Sequence, residues 1–337
     1  MPTVLVTGGA GFIGSNFVRE LLNDKHYKVV VLDKLTYAGN LDNFPKEVMK
    51  NPRFKFIKGD IAVKSDVEPL MKSADIVINF AAETHIDRSI VNINPFVQTD
   101  FIGTYVLLEE FRKKPKDRFI QISTSEVYGS AQEIPMSETH PIAPQSPYAA
   151  TKAAADRLAY AYYKTYNLPI VIVRPFNNYG PNQYPEKLIP FFIVNTMEEK
   201  PLFVYGSGKN TRDWLYVTDC VLALKKILEI DINKVKGEVF NLGTGKEYNV
   251  LAIAEMILKY FNKPKSLIKH IFDRPGHVER LIASTEKAKQ VLKWSPTTDF
   301  SQGIIKTIIW YETNQWWWQK IRKRKAYQRF YQSWYGH

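Results

Sequence analysis

The strongest constraint on the fold lies in the first two dozen residues. An apolar run, Val4–Thr7, leads directly into Gly8-Gly9-Ala10-Gly11-Phe12-Ile13-Gly14, and an amphipathic segment, Ile13–Asn23, follows. Glycine suits such a junction because the backbone must turn sharply and let a neighbour approach where a Cβ would intrude. A helix starting there aims its free N–H groups and positive dipole end at the turn, an arrangement that favours phosphate oxygens. Strand, glycine turn and helix are common by themselves. Here a second strand, Val29–Asp33, ends in an acid placed to accept hydrogen bonds from a ribose diol. A carboxylate at that point repels a 2′-phosphate, so the pattern predicts NAD rather than NADP.

The rest of the first half keeps the same rhythm. Phe54–Lys58, Ile76–Phe80, Phe119–Ser123 and Ile170–Arg174 read as strands, with helices expected over Thr99–Lys114 and Tyr148–Tyr166. This alternation predicts an α/β fold, a Rossmann-like doubly wound parallel sheet. Asp60-Ile61 follows the third strand, where an aspartate can reach an adenine amino group. After Pro175 the pattern loosens into loops around Tyr179–Pro185 and Gly206–Arg212. A later strand, Val239–Leu242, and a helix, Val250–Phe261, imply that the chain passes between lobes more than once. We therefore expect a dinucleotide lobe of residues 1–178 plus about 213–244. The remainder, 179–212 plus about 245–337, would form a smaller, discontinuous α/β substrate lobe.

Composition narrows the classes. With 337 residues, 45% of them hydrophobic and 24% charged, the chain is neither disordered nor fibrous. Apolar stretches such as Ile76–Ala82 are too short to span a bilayer, and the N-terminus shows no basic leader or cleavage site. The single cysteine, Cys220, makes no internal disulfide and reads as core, and no Cys/His cluster has zinc-ligand spacing. A cytoplasmic protein without metal or membrane contact is expected. The net charge of +12 raises nucleic acid as a partner, since Arg322–Lys325 is flanked by Trp316–Trp318 and Trp334-Tyr335. That run lies outside every chemical motif, however. It reads as a terminal helix that docks its aromatics and leaves its lysines in water, with no nucleic acid bound.

The chemistry concentrates in one stretch. Tyr148 and Lys152 stand four residues apart on a helix that opens with Ser146-Pro147, which stacks both side chains on one face. A tyrosine with its ordinary pKa near ~10 is a poor base at neutral pH. A neighbouring ammonium and a nicotinamide cation both favour the phenolate. Thr124 follows a strand, where its hydroxyl can bridge a substrate oxygen to Tyr148. The set suits removal of a hydroxyl proton while hydride leaves the same carbon for NAD⁺.

Longer segments sharpen this reading. Among them are Asp33–Leu41, Ala81–Ser89, Asn177–Pro181, Tyr184–Pro190, Arg212–Val217 and Asp273–His277. With them the chain resembles the extended short-chain dehydrogenase/reductases that act on nucleotide sugars, and among these the dTDP-glucose 4,6-dehydratases. The resemblance covers essentially the whole chain. It implies oxidation at C4 of the sugar, loss of water across C5 and C6, and return of the hydride to C6. By it Tyr148 is the oxidation base, Lys152 its tuner and ribose anchor, Thr124 the O4 contact and Glu126 the C5 base. NAD would lie against Gly8, Gly11, Phe12, Ile13, Gly14, Asp33, Lys34, Leu35, Thr36, Gly39, Asp60 and Ile61. Phe80, Ala81, Ala82, Thr99, Tyr148, Lys152 and Asn178 would complete that half. The nucleotide-diphosphate sugar would be held by Thr84, Thr124, Asn177, Lys187, Leu188, Phe203, Tyr205, Arg212, Asn249, Arg274 and His277. The helices Thr99–Lys114 and Tyr148–Tyr166 would pair across a homodimer.

The sequence departs from the resemblance at Ser125. There the dTDP-glucose enzymes carry an aspartate that protonates the C6 hydroxyl. A serine hydroxyl has no such proton near neutrality. Either Glu126 passes on the proton it takes from C5, or Ser125 holds a relaying water. Thr124-Ser125-Glu126 also resembles GDP-mannose 4,6-dehydratases and UDP-glucuronate decarboxylases. A decarboxylase, a C4-epimerase and a cofactor-sensing regulator on the same fold remain alternatives. Retention of Thr124, Glu126, Tyr148 and Lys152 speaks against the regulator. The nucleotide base stays open, because a thymine methyl is worth only ~1–3 kcal/mol of discrimination.

Overall fold

The computed structural model describes residues 1–335. Seven strands form one parallel sheet: β1 (Thr3–Thr7), β2 (Lys28–Asp33), β3 (Phe54–Lys58), β4 (Ile76–Asn79), β5 (Arg118–Ile122), β6 (Ile170–Pro175) and, after β7–β9 described below, β10 (Val239–Leu242). Their spatial order is β10-β6-β5-β4-β1-β2-β3. The chain builds outward from β1 to β3 and then crosses back to place β4 on the other side of β1. This reversal opens a crevice beyond the carboxyl ends of β1 and β4, where ligands bind in such sheets.

The central strands are mostly apolar because helices cover both faces. All residues of β4, β5 and β6 are buried. On one face Phe17, Val18 and Leu21 of the Phe12–Asn23 helix pack with Cys220, Leu224 and Ile227 of the Val217–Glu229 helix. On the other face lie Val67, Met71, Leu107, Leu108 and Phe111. A short ladder of polar side chains runs through this core. Asn79 accepts from Thr7 Oγ1 at 2.6 Å and donates to Gln121 Oε1 at 3.0 Å, so it crosses the β1–β4–β5 strands fully satisfied.

The expected Thr99–Lys114 helix differs in its first part. It begins at Asn94, runs as a π-helix over Val97–Gly103 and becomes α-helical only over Thr104–Lys113. Asp100 belongs to the wide turn and is held there from outside its own helix. It accepts from the Glu83 backbone N–H at 2.9 Å and from Thr151 Oγ1 at 2.9 Å.

The remaining strands are β7 (Asn177–Tyr179), β8 (Leu202–Tyr205), β9 (Thr211–Tyr216), β11 (Glu247–Asn249), β12 (Ile268–Ile271) and β13 (Arg280–Leu281). β9 pairs with β7, β11 and β13, and β8 pairs with β12. Residues 213–216, expected with the larger lobe, thus pair within the smaller sheet. Around these strands Phe192, Ile193, Trp214, Ile253 and Ile257 pack against Ile304, Ile308, Trp317 and Trp318. The terminal helices Gln315–Arg322 and Lys325–Tyr335 bury Trp317, Trp318, Ile321, Tyr327 and Phe330 and leave Lys323 and Lys325 exposed. No helix among the described residues is long and apolar enough to cross a membrane.

Candidate active site

A continuous cleft runs from the Gly8–Gly14 turn, along the ends of β1, β4 and β5, to the smaller lobe. Gly8 has φ +67°, and a Cβ there would fall 2.5 Å from the Ala81 nitrogen. A Cβ on Gly14 would stand 2.6 Å from the Gly8 carbonyl oxygen. The turn is therefore open to a ligand only because it carries no side chains. Beside it Asp33 accepts from Ala10 N at 2.9 Å and Leu35 N at 2.8 Å. Burial raises its pKa, while these two bonds pull the other way. Asp60 lies 2.6 Å from Lys34 Nζ. Farther along, Asn178 Oδ1, Gln183 Oε1 and Arg274 Nε are buried without a partner on residues that line the cleft. A molecule bound between the walls would give such atoms partners.

The chemical centre is built at the end of β5. Ser125–Tyr128 forms a short 3-10 turn, and Thr124 Oγ1 accepts from Glu126 N at 3.2 Å. The Pro147–Tyr166 helix brings Tyr148 and Lys152 to the same place, its start capped by Ser146, which accepts from Ala149 N at 3.2 Å. Lys152 Nζ donates to the Ile122 carbonyl at 2.7 Å. Burial pulls the Lys152 ammonium below its usual range, opposed by Asp100. The expectation that Lys152 lowers Tyr148 is not met by the protein alone. Burial first, and then the Asp100 charge, raise Tyr148, against a lowering hydrogen bond with Thr124. Asp100 itself is pushed up by burial to about 7.

Cationic groups define the far end. Glu126 Oε1 lies 3.8 Å from Arg212 Nε, and Arg212 is fixed by a bond to the Val278 carbonyl at 2.8 Å. Lys187 donates to the Thr84 carbonyl, and burial lowers it to about 8. Arg274 donates to Asp87 Oδ1 at 3.2 Å, and Tyr205 donates to Asp87 Oδ2 at 2.7 Å. His277 Nδ1 lies 2.6 Å from Asp273 Oδ1. Buried or half-buried cations that converge in this way suit a diphosphate.

Residues 5–307 match the family model described as GDP-mannose 4,6 dehydratase. The chain belongs to that family. A dTDP-glucose 4,6-dehydratase of Streptomyces niveus is 44% identical over 325 residues, with 95% of each chain covered. A low-salt glycan biosynthesis protein of Haloferax volcanii is 46% identical over 309 residues, 91% of this chain and 98% of the relative. The solved dTDP-glucose 4,6-dehydratase of Bacillus anthracis, in complex with NAD, superposes with a TM-score of 0.88 at 43% identity. That match covers 95% of this chain and 100% of the other. The chain is thus an enzyme of the nucleotide-sugar 4,6-dehydratase kind, with the Rossmann-like fold the sequence predicts.

In this dehydratase, all but two of the residues expected in the site line the cleft. Leu35, at φ +57°, packs its side chain into the core beside β2, so only its backbone N–H serves the site, through Asp33. Asn249 turns its Oδ1 to the start of the Val250–Tyr260 helix, where it accepts from Ala252 N at 2.7 Å. Sequence reasoning missed Glu83, His85, Asp87, Gln183, Glu186 and Tyr335, which also line the cleft. All but Gln183 and Tyr335 lie inside segments that carried the family resemblance. Gln183 falls between two such segments, and only the fold brings Tyr335 there. Among the described residues no group of three or more His, Cys, Asp or Glu is placed to hold a metal ion.

Proposed function

We propose that this dehydratase converts dTDP-glucose to dTDP-4-keto-6-deoxyglucose, with NAD⁺ held by the Gly8–Gly14 turn, Asp33 and Lys152. When bound there, NAD⁺ would supply the hydride acceptor for C4 and the hydride donor for C6, and its positive charge would favour the Tyr148 phenolate. Tyr148 takes the O4 proton, with Thr124 holding that oxygen. Glu126 removes the C5 proton, made acidic by the new C4 ketone, and then passes it to the C6 hydroxyl, which leaves as water. C5 finally regains a proton, which balances the one Tyr148 took from O4. Lys187, Arg212 and Arg274 bind the diphosphate.

The observation that carries this reading is that Glu126 stands at the centre uncommitted by a hydrogen bond to its carboxylate, while other acids of the cleft are engaged. Asp33 accepts two backbone N–H groups, and Asp87 is bound by Tyr205 and Arg274. Glu186 is held by Nε and Nη2 of Arg88, and Glu83 is bonded to Thr36. With Ser125 in the acid's place, one carboxylate does both proton transfers of the elimination. Ser125 also favours a second reading, decarboxylation of UDP-glucuronate, where no C6 hydroxyl is expelled. We further propose a homodimer formed through the helices over 94–113 and 147–166.

Separate incubations with dTDP-glucose, UDP-glucose, GDP-mannose and UDP-glucuronate, read by mass spectrometry, test the function. Loss of one water from dTDP-glucose, without net consumption of NAD, is the expected outcome. Loss of carbon dioxide from UDP-glucuronate alone would replace the proposal by the second reading.

A further inference from the structure

Behind the cleft lies a buried ion pair that the chemistry above does not use. Arg174, on β6, is 1% exposed, and Asp156 is fully buried. The guanidinium forks onto that carboxylate, Nε to Oδ2 at 2.8 Å and Nη2 to Oδ1 at 2.9 Å. Burial alone would raise the Asp156 carboxyl, but the bonds from Arg174 hold it below its usual range. Arg157 adds a bond from the surface, Nε to Oδ1 at 2.9 Å. The third nitrogen of Arg174, Nη1, donates to the Tyr128 hydroxyl at 2.9 Å and to the Glu138 carbonyl at 3.2 Å. Tyr128 in turn donates to Asn241 Oδ1 at 2.7 Å, and Asn241 stands opposite Arg174 in the β10–β6 pair. Neither Arg174, Asp156, Tyr128 nor Asn241 lines the cleft.

A buried pair of this kind costs desolvation that its own attraction barely offsets, so stability alone does not account for it. Its attachments do more. Asp156 lies one turn beyond Lys152 on the Pro147–Tyr166 helix, which also carries Tyr148. Tyr128 closes the Ser125–Tyr128 turn, two residues after Glu126. One guanidinium therefore ties the helix of the C4 base to the turn of the C5 base. C4 and C5 are bonded neighbours, so the two bases must reach one sugar ring without shifting against each other. A planar fork sets such a spacing where a flexible ammonium would not. We propose that Arg174 is a positioning residue of the dehydration: through Asp156 and Tyr128 it fixes the register between the Tyr148–Lys152 helix and the Glu126 turn. This rests on the roles given above to Tyr148 and Glu126.

The test uses two variants beside the unmodified chain. Tyr128→Phe removes only the link to the turn and keeps the ring, whereas Arg174→Lys keeps a charge for Asp156 and loses the fork. Turnover of dTDP-glucose is measured while reduced-nicotinamide absorbance is followed. A displacement of about 1 Å at a catalytic group can cost ~10²-fold, so kcat should fall by about tenfold or more in each variant. The dTDP-glucose KM should stay within about twofold, because the groups that bind substrate are untouched. Lys152 keeps its own bond to the Ile122 carbonyl, so C4 oxidation should outlast elimination and reduced nicotinamide should accumulate during turnover. Tyr128→Phe leaves the ion pair whole, and it decides the matter if Arg174→Lys does not fold. Tyr128→Phe without accumulated reduced nicotinamide overturns the proposal, whether its kcat is unchanged or falls only with the amount of folded protein. An unmodified chain that turns over no dTDP-glucose would instead defeat the proposed function, and this inference would fall with it.

Discussion

At the scale of single residues, the elimination hinges on one carboxylate. Glu126→Gln should still oxidise C4, because Tyr148, Lys152 and Thr124 are untouched, and should then stall. The expected signature is reduced-nicotinamide absorbance that rises on adding dTDP-glucose and persists, with no dehydrated product. Ser125→Ala separates the two routes by which the C6 hydroxyl could be protonated. If Glu126 passes its own proton on, the alanine variant keeps dehydration within about tenfold. A loss of ~10²-fold or more, the worth of a general acid, would instead assign the proton to a water held by Ser125. Much of this centre was legible in the sequence: i, i+4 spacing and a strand end place Tyr148, Lys152 and Thr124 without knowledge of the tertiary fold, and the family resemblance adds Glu126. Other residues were not legible, for physical reasons. Asn249 is one: it stands where a helix begins, and its Oδ1 caps that helix, which leaves only the amide N–H₂ for a phosphate. The tuning of Tyr148 was misread because spacing shows Lys152 and hides both burial and Asp100.

At the scale of elements, the π-helical turn over Val97–Gly103 does what an α-helix there would not, and places a buried acid near Lys152. The Asp100 carboxyl has its pKa raised from 3.8 to about 7, chiefly by burial. A carboxyl raised on folding contributes stability that is fully present below its unfolded value and is lost as pH rises through its folded one. The unmodified chain should therefore lose stability between about pH 4 and pH 7. Asp100→Asn, which keeps an acceptor for the Glu83 N–H, should flatten that part of the profile in denaturant titrations. An unchanged slope would mean that Asp100 stays ionised against Lys152 over the whole range. No sequence pattern announces this element, since Thr99–Lys114 has ordinary helical periodicity and the partners of Asp100, Glu83 and Thr151, are distant in the chain.

At the scale of the whole molecule, the parallel sheet was readable because each strand is a short apolar run followed by a helix. The smaller sheet was not. Its strands are two to six residues long, and β13 pairs with β9 across many intervening residues, so local pattern carries little of their register. The proposed homodimer belongs to this scale as well. The Pro147–Tyr166 helix leaves Ala150, Ala154 and Ala161 exposed on one side, a low face on which a second copy can lie close. Ala154→Arg should shift the sedimentation coefficient from dimer to monomer, whereas a monomer in the unmodified chain would remove the proposal. The guanidinium of Arg88 makes a last point about order. It lies 4.0 Å from the Tyr37 ring and 4.1 Å from the Phe330 ring, and is bonded to Glu186, so four distant parts of the chain meet on one charge. Phe330 leaves the ribosome long after the other three. The large sheet is complete with β10, whereas Arg88 gains its last partner only once the chain has been made through Phe330, so the order of synthesis sets the sheet before this contact.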